Sequence, residues 1–448
     1  MIPKNRKAQS IILTLVFFIS WLGFLSDRVQ AMPPVQRVVL PNRLVVLSGE
    51  DHSLPFVTLQ LLIDSGSRRD PSGQEGLAYL TAKGLLLGTS KRTTNQINEE
   101  LDFIGATLNG SSGRDYATVS LRVLKKDLGK GLDLFFETIT QPAFPEEEIR
   151  REIEKTLAII QSAEDQPGEV AEKEFQKALY LQSPYAHPVE GTRESLPQLK
   201  RDSLLHFFRT YYHPNNAILT VVGDMTPDEV KALLHPRLEK WQAIEIPPES
   251  FKSSLEGKPR TIKIDRAVTQ ANIILGHGGV SRGNPDYYAI QVMNYILGGG
   301  GFASRLTEEV RNRRGLAYSV HSFFDPGKYP GSFQIELQTK NSSAREAISL
   351  SLKEMDRIRK ESVSEKELEG ARKYLIGSFP MRFDSQAKLA NFLTQIEYYG
   401  LGLDYPEKYP SILRAITREE ILRVAQTYLH PENPILIVVG NLKEAGLE

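Results

Sequence analysis

The sequence contains an internal repeat whose two copies lie 217 residues apart (427 minus 210). The segment 210–223 reads Thr-Tyr-Tyr-His-Pro-Asn-Asn-Ala-Ile-Leu-Thr-Val-Val-Gly, and it returns at 427–440 with ten of its fourteen positions identical. Each copy follows a helical pattern, breaks at His-Pro and continues through β-branched residues typical of a buried strand. Because the offset is far longer than the roughly 20–50 residues of stacking repeats, the duplicated unit is a whole domain.

The duplication predicts two homologous domains. A length of 448 residues is ample for two units of roughly 200 residues. Strand patterns and helix patterns are clustered within each half, which favours an α+β fold with an antiparallel sheet packed by helices in each domain. We predict domains at 35–240 and 259–448, joined by a linker at 241–258 that carries two prolines and a polar stretch.

Local patterns predict individual elements. The segments 37–47 and 56–63 each indicate a strand, and the apolar stretch 76–87 indicates a helix. A second helix is predicted at 304–314, because its acidic residues come early, its arginines come late and a glycine follows it.

The N-terminus has the layout of a secretory signal peptide. Three basic residues precede an uncharged apolar run at 11–25, and a small-x-small cleavage site follows at 29–31. The run has fifteen residues, fewer than the roughly twenty that span a bilayer. We expect segment 1–31 to be cleaved and the protein to be periplasmic, with an uncleaved inner-membrane anchor facing the periplasm as the alternative.

Charge and cysteine usage exclude several classes of function. Basic and acidic residues balance at 55 each, so the chain lacks the positive field of a nucleic-acid-binding protein. The absence of cysteine excludes disulfides, thiolate nucleophiles and cysteine zinc ligands.

Several short motifs follow one another in a characteristic order. They are Gly66-Ser-Arg68, Gly76-Leu-Ala-Tyr79, Lys83-Gly-Leu-Leu-Leu-Gly-Thr89, Tyr212-His-Pro-Asn215, the glycine run at 298–301, and Arg311-Asn-Arg-Arg-Gly-Leu-Ala-Tyr-Ser319. In this order, and with the duplication, the chain resembles the pitrilysin, insulysin and mitochondrial processing peptidase family of zinc peptidases over nearly all of its mature length. The resemblance implies that the two domains form half of a clamshell chamber.

The zinc-binding motif of that family is degenerate in this sequence. Active members carry His-x-x-Glu-His on a helix, where histidines four residues apart share a metal and the glutamate activates its water. The matching positions here are Tyr79, Ala82 and Lys83. An ammonium group repels a dication, and an alanine cannot move a proton. The resemblance therefore implies that this chain binds no metal as a cofactor.

The remaining candidate ligands do not restore the site. The family's third ligand, a glutamate, would fall at 158–160, which reads Ala-Ile-Ile, and the flanking Glu154 and Glu164 do not fit the spacing. No two histidines lie three to five positions apart; they are His52, His187, His206, His213, His235, His277, His321 and His430. We interpret His213 and His430, which enter the repeated strands, as packing residues. A zinc site built from distant histidines remains an alternative.

The resemblance also points to a pair of residues that assist catalysis. In family members built from two unlike chains, one chain supplies zinc and the other supplies an arginine and a tyrosine that hold substrate near the metal. Arg311 and Tyr318 match that pair. The plainer interpretation makes Arg311 a solvated helix charge and Tyr318 a core aromatic residue. We interpret the glycine run at 298–301 as close packing or interdomain flexibility, because it lacks the ending of a nucleotide-binding loop.

The resemblance favours a non-catalytic, substrate-binding subunit of an exported heterodimeric zinc metallopeptidase that acts on peptides or unfolded segments. Zinc would be bound by a homologous partner chain, and Arg311 and Tyr318 would act on the partner's substrate. One alternative is a non-enzymatic scaffold or peptide-binding module. The other is an autonomous peptidase with an unrecognised metal site. We expect the chain alone to bind no stoichiometric zinc and to cleave no peptide.

Overall fold

The computed structural model describes residues 32–181, 183–249, 255 and 258–448. The predicted signal segment 1–31 lies outside these residues, and so does most of the second half of the predicted linker. Within the described part of the chain, no helix is both long enough and apolar enough to cross a bilayer.

The N-terminal half forms a six-stranded sheet and the helices around it. Its elements are β1 (Val35–Val39), β2 (Val45–Glu50), β3 (Phe56–Ile63), α1 (Leu77–Gly84), α2 (Thr94–Ile104), β4 (Thr107–Ser112), β5 (Ala117–Leu124), α3 (Leu128–Thr140), α4 (Glu146–Glu164), α5 (Pro167–Tyr180), α6 (Arg201–Tyr211), β6 (Ala217–Gly223) and α7 (Pro227–Leu238). The strand order is β1-β2-β6-β3-β5-β4. Alternate residues of β5 are buried, as expected of a strand with one face on the core.

The C-terminal half forms a five-stranded sheet. Its elements are β7 (Arg260–Asp265), β8 (Gln270–Gly278), α8 (Tyr287–Asn294), β9 (Ala317–Asp325), β10 (Ser332–Lys340), α9 (Ala344–Lys360), α10 (Glu365–Ser378), α11 (Gln386–Tyr398), α12 (Tyr405–Ala415), α13 (Arg418–Tyr428), β11 (Ile435–Gly440) and α14 (Leu442–Ala445). The strand order is β7-β11-β8-β10-β9.

The two sheets share one topology. Without β1, the first sheet reads β2-β6-β3-β5-β4, which matches β7-β11-β8-β10-β9 strand for strand. The repeated sequence segments become β6 and β11, which occupy equivalent places. Each runs parallel to the first strand of the matched set and antiparallel to the next. The predicted α+β class is confirmed. Each sheet is antiparallel except for one pair, because β6 and β11 return to it only after a long helical connection.

The predicted strand at 37–47 is instead a hairpin. β1 pairs antiparallel with β2, and the chain turns between them. Arg43 lies in this turn with a φ of 67°, a left-handed conformation that few non-glycine residues adopt. Pro41 and Asn42, residue types that favour turns, stand between the two apolar runs, so the sequence did carry a signal for the turn.

Each half supplies a helix to the other half's sheet. Helix α5 packs on the C-terminal sheet, where Phe175 joins Ile437 and Val439 in a shared buried cluster. Helix α11 packs on the N-terminal sheet, and Thr394 hydrogen-bonds to Thr220 across that contact, 2.8 Å between hydroxyl oxygens. A sheet with two apolar faces needs cover on both. The exchange of helices supplies that cover, and Leu47 and Val222 of the N-terminal sheet join the buried cluster of the C-terminal half.

A buried polar cluster also links the two halves and the linker. The guanidinium of Arg68 donates to Asp64 and to Glu249 of the linker, each at 2.6 Å, and to the Asp115 carbonyl oxygen. Lys328, from the C-terminal half, is 3.1 Å from the Asp64 carboxylate. Burial alone would lower the pKa of Arg68, but the surrounding acidic groups, Asp64 first, raise it above its ordinary value. We name this set the Arg68 cluster.

Candidate functional site

Helix α1 carries the degenerate motif and is held firmly at its N-terminus. The Asp70 carboxylate accepts from the backbone N–H groups of Gly76 and Ala78, both at 2.8 Å. Gly76 has a φ of 92° and lies against the backbone of Glu190, where a side chain would collide. The motif is thus on a well-formed helix, and the loss of the zinc ligands has not disturbed the scaffold that would present them.

The motif side chains are engaged with one another. Tyr79 is half-buried and hydrogen-bonds to Thr156 on α4, and its pKa is raised by burial and then by Glu152. The Lys83 ammonium lies 5.6 Å from the centre of the Tyr79 ring. Ala82 is fully buried, with its carbonyl oxygen against Gly110 of β4. A phenol, a methyl group and an ammonium ion offer no ligand set for zinc, so the residues do not fit the metal.

The predicted place of the third ligand is shifted along α4. Ile159, at the centre of 158–160, is 50% exposed. Two earlier α4 residues lie near Tyr79: Thr156 hydrogen-bonds to its hydroxyl, and the Glu152 carboxylate raises its pKa. Glu154 pairs with Arg150 and Glu164 with Arg193 on the helix surface. Sequence spacing missed Thr156 because it fixes neither the helix register nor which face meets α1.

The two repeat histidines have packing partners. The ring nitrogens of His213 lie 3.0 Å and 2.7 Å from the carbonyl oxygens of Gln242 and Arg209. The His430 backbone N–H donates to the His277 ring at 3.1 Å. Among the described residues, no group of three or more histidine, aspartate or glutamate side chains is placed to hold a metal ion.

Arg311 lies on a π-helical turn, Thr307–Arg313, where the sequence predicted a longer regular helix. The wider turn pairs Glu308 and Glu309 with Arg313, at 3.0 Å and 2.7 Å. Arg311 forms no ion pair among the described residues, and its guanidinium instead lies 4.9 Å from the centre of the Phe302 ring. The acidic residues of the π turn therefore pair with Arg313, and the Arg311 guanidinium can bind a ligand. π-helical turns often mark functional sites.

Tyr318 extends into solvent from the edge of the C-terminal sheet. It is 73% exposed and lies on β9, the outermost strand. The pairing of β9 with β10 skips Tyr318, because Ser319 pairs with Gln338 and Ala317 with Thr339. This β-bulge changes the direction of the side chain, a common device beside active sites. Tyr318 is therefore not the core aromatic residue of the plainer interpretation.

The glycine run packs against the base of this region. A side chain at Gly298 would collide with Ser322 and Leu306, while Gly301 has a φ of 56° that favours glycine. The run ends at Phe302, which is 72% exposed and stacks on Arg311. Sequence reasoning missed Phe302, although an aromatic residue directly after a glycine run was a usable signal. Close packing is the interpretation that the structure supports for the run.

A groove of about 290 Å³ runs between α4, α5 and the loop that carries Glu190. Glu172 of α5 lines it and lies 3.4 Å from Gln334 of β10. Beyond Gln334 on the same strand, Glu336 faces His321 at 3.5 Å. Burial, then Glu172 and Glu169, raises the pKa of Glu336 to about 7. The groove carries polar groups but no basic cluster.

Comparisons with known proteins place this architecture in one family. A model described as insulinase, peptidase family M16, matches residues 45–193, and a model described as peptidase M16 inactive domain matches residues 198–375. A solved structure described as a peptidase M16 inactive domain, from Pseudomonas fluorescens, superposes with a TM-score of 0.85 at 29% identity. The match covers 91% of this chain and 98% of that one.

Relatives of similar length carry both active and inactive descriptions. An uncharacterized zinc protease of Streptomyces coelicolor is 27% identical over 92% of this chain and 90% of its own length. A non-peptidase homologue from Helicobacter pylori is 25% identical over 93% of this chain and 96% of its own length. A probable mitochondrial-processing peptidase subunit beta of Arabidopsis thaliana is 24% identical over 93% of this chain and 80% of its own length. With both halves matched and the zinc ligands replaced, the chain belongs to peptidase family M16, as a non-catalytic member.

Proposed function

We propose that this chain is the substrate-binding subunit of an exported heterodimeric zinc metallopeptidase that cleaves peptides or unfolded segments. One observation carries the proposal: the positions for metal have been replaced by engaged side chains, while Tyr318 is exposed, Arg311 is partly exposed, and neither side chain forms a hydrogen bond or ion pair among the residues that the structure describes. A scaffold that had lost both functions would have no physical reason to keep an unpaired arginine and a bulged tyrosine.

The metal must come from the partner under this proposal. Tyr79, Ala82 and Lys83 supply no ligand, and the segment 158–160, where the resemblance places the third ligand, has no carboxylate. A homologous chain with an intact His-x-x-Glu-His motif would supply the zinc and the general base. Both chains would share one fold, so two similar clamps could enclose a peptide between them.

The chemistry of Arg311 and Tyr318 suits a peptide carbonyl. A guanidinium presents a rigid fork of donors, and a phenol donates one further hydrogen bond. Both strengthen their contacts as the carbonyl oxygen becomes an oxyanion. The Phe302 ring contacts the flat face of the Arg311 guanidinium, so the N–H groups at the edge of the guanidinium can donate to the substrate. Tyr318 and Arg311 flank the turn at Gly315, whose N–H donates to the Arg311 carbonyl oxygen at 2.9 Å.

Reconstitution with a zinc-bearing homologue tests the proposal. The mature chain is mixed with a homologous chain that carries His-x-x-Glu-His, and association, zinc content and cleavage of an unfolded peptide are measured. We expect a complex with one zinc per pair, carried by the partner, and cleavage that needs both chains. If such a homologue associates but cleaves equally well without this chain, or if it does not associate, the scaffold function replaces the proposed one.

A further inference from the structure

A second cavity, of about 540 Å³, lies where the two halves meet and shares no residue with the Arg311 region. Tyr116, just before β5, lines it from the N-terminal half. The loop after β8, helix α8 and helix α11 line it from the C-terminal half, with Arg282, Tyr287 and Lys388 among them. The volume is within the range of small-molecule sites, about 300–1,000 Å³.

The charges that line this cavity have one sign. Three cationic side chains, Arg282, Arg382 and Lys388, line it without any aspartate or glutamate. Lys388 is paired with Asp384 outside the cavity at 2.8 Å. In the part of the chain that the structure describes, neither arginine forms an ion pair. Arg282 is half-buried, and the described side chains to which its guanidinium hydrogen-bonds are neutral phenols: Tyr405, with a long contact of 3.5 Å, and Tyr288. An unpaired, partly buried cation is unfavourable unless an anion joins it.

Aromatic rings hold both guanidinium groups in place. Arg282 lies 3.9 Å from the centre of the Tyr287 ring and 5.9 Å from that of Tyr399. Arg382 lies 5.3 Å from the Phe379 ring centre. Stacking uses the face of a guanidinium and leaves the donors at its edge free. It also removes side-chain freedom before any ligand arrives, which lowers the entropic cost of binding.

The rest of the wall supplies neutral donors and apolar surface. Burial, first among the causes, raises the pKa of Tyr287, of Tyr399 and of Tyr405, so their hydroxyls stay protonated and can donate. Phe392 and Ile396 of α11 line the cavity beside them. A bare inorganic ion would leave these apolar groups without a contact.

We propose that this cavity binds an organic oxyanion, a carboxylate or phosphate group attached to an aromatic or apolar body. The two arginine forks match the paired oxygens of either group, and such charge-assisted contacts are the stronger kind of hydrogen bond. The tyrosine rings and the apolar residues of α11 enclose the body. Because both halves line the cavity, an occupant also bridges them. The inference does not depend on the proposed peptidase partner.

The test is calorimetric titration of the mature chain with four probes. The first probe, N-acetylphenylalanine, presents a carboxylate on an aromatic body. The second probe, N-acetylphenylalanine amide, has the same body without the negative charge. The third probe, phenyl phosphate, presents a phosphate on an aromatic ring. The fourth probe, inorganic phosphate, has the charge without the ring. We expect at least one of the two aromatic anions to bind about tenfold or more tightly than its stripped counterpart, and the preferred one identifies the oxyanion.

Variants locate the binding. Arg282→Gln should weaken the preferred probe by about tenfold or more, and Arg382→Gln, which is more exposed, by less. Arg122→Gln is the matched control, because Arg122 also stacks on a ring, that of Phe56 at 3.7 Å, but lines a different cavity. Arg282→Lys keeps the charge and removes the fork, so it reports on binding if the glutamine variant does not fold.

Three results would overturn the inference. The first is no detectable heat with any probe at millimolar concentration. The second is equal affinity for the acid and its amide together with equal affinity for phenyl phosphate and inorganic phosphate. The third is an equal loss in Arg122→Gln and in the folded Arg282 variant. Any of these would make the stacked arginines structural cation–π contacts.

Discussion

Two arginines of this protein lie in opposite environments. Arg68 is 1% exposed, and carboxylates from the N-terminal half and the linker surround it. Arg311 is partly exposed on a π-helical turn. Its guanidinium lies against the Phe302 ring and, among the described residues, pairs with no carboxylate. The comparison teaches that pairing with carboxylates, more than residue type, separates a structural cation from one that can bind a ligand. It predicts that the two arginines control different measurable properties.

The largest expected effect on stability comes from Arg68→Ala. Removing one member of a buried ionic cluster leaves the other charges unpaired, at a typical cost of about 3–5 kcal/mol. We expect a fall of that order in the free energy of unfolding, measured by urea denaturation. Arg313→Ala, which removes only exposed ion pairs on the π turn, is the control and should change stability little. Equal losses in the two variants would refute the assignment of Arg68 as the interdomain link.

Arg311→Ala and Tyr318→Phe should show the reverse behaviour. Each removes one donor to a developing oxyanion, so each should lower kcat of the reconstituted pair by about 10²–10³. Unfolding and association of the two chains should be unaffected, because neither side chain has a polar partner among the described residues. Arg313→Ala and Tyr374→Phe, a 57% exposed tyrosine elsewhere on this half, are matched controls. A rise in KM with unchanged kcat would reduce the pair to substrate docking.

Glu336 lies between these extremes, as a partly buried acid near two other carboxylates. Its pKa is raised to about 7 from 4.5, by burial and then by Glu172 and Glu169. The stability that the neutral form contributes is complete below pH 4.5 and is lost as pH rises to about 7. His321 also faces Glu336, and burial lowers the pKa of that imidazole.

The variant Glu336→Gln should remove this pH dependence. We expect it to match the wild type at pH 4 and to be more stable at pH 8. The gain should be about 1 kcal/mol, because the side chain is a third exposed and solvent screens the repulsion. Urea midpoints at the two pH values measure the difference, with the exposed Glu346→Gln as control. A gain of equal size at both pH values would contradict the assignment.

The smallest expected effect is a failure to restore metal binding. The triple variant Tyr79→His, Ala82→Glu, Lys83→His should bind no stoichiometric zinc, because the segment 158–160, where the resemblance places the third ligand, still has no carboxylate. Adding Thr156→Glu makes the sharper test, since it places a carboxylate on an α4 residue that contacts position 79. Elemental analysis after dialysis measures both. One zinc per chain in the triple variant would show that α4 is not needed.

The sequence by itself determined the duplication, the α+β class and the loss of the zinc ligands. A repeated strand records a repeated domain, and a zinc site cannot exist without ligands in the chain. The tertiary structure alone decided how α5 and α11 are exchanged, which α4 residues face the motif, and that Tyr318 lies on a bulge. It also decided which arginines pair with carboxylates: Arg68, Arg282 and Arg311 look alike in the sequence, and one carboxylate partner of Arg68 comes from 181 positions away. Local pattern fixes periodicity and chemistry, whereas burial and pairing depend on contacts that form only when distant segments pack.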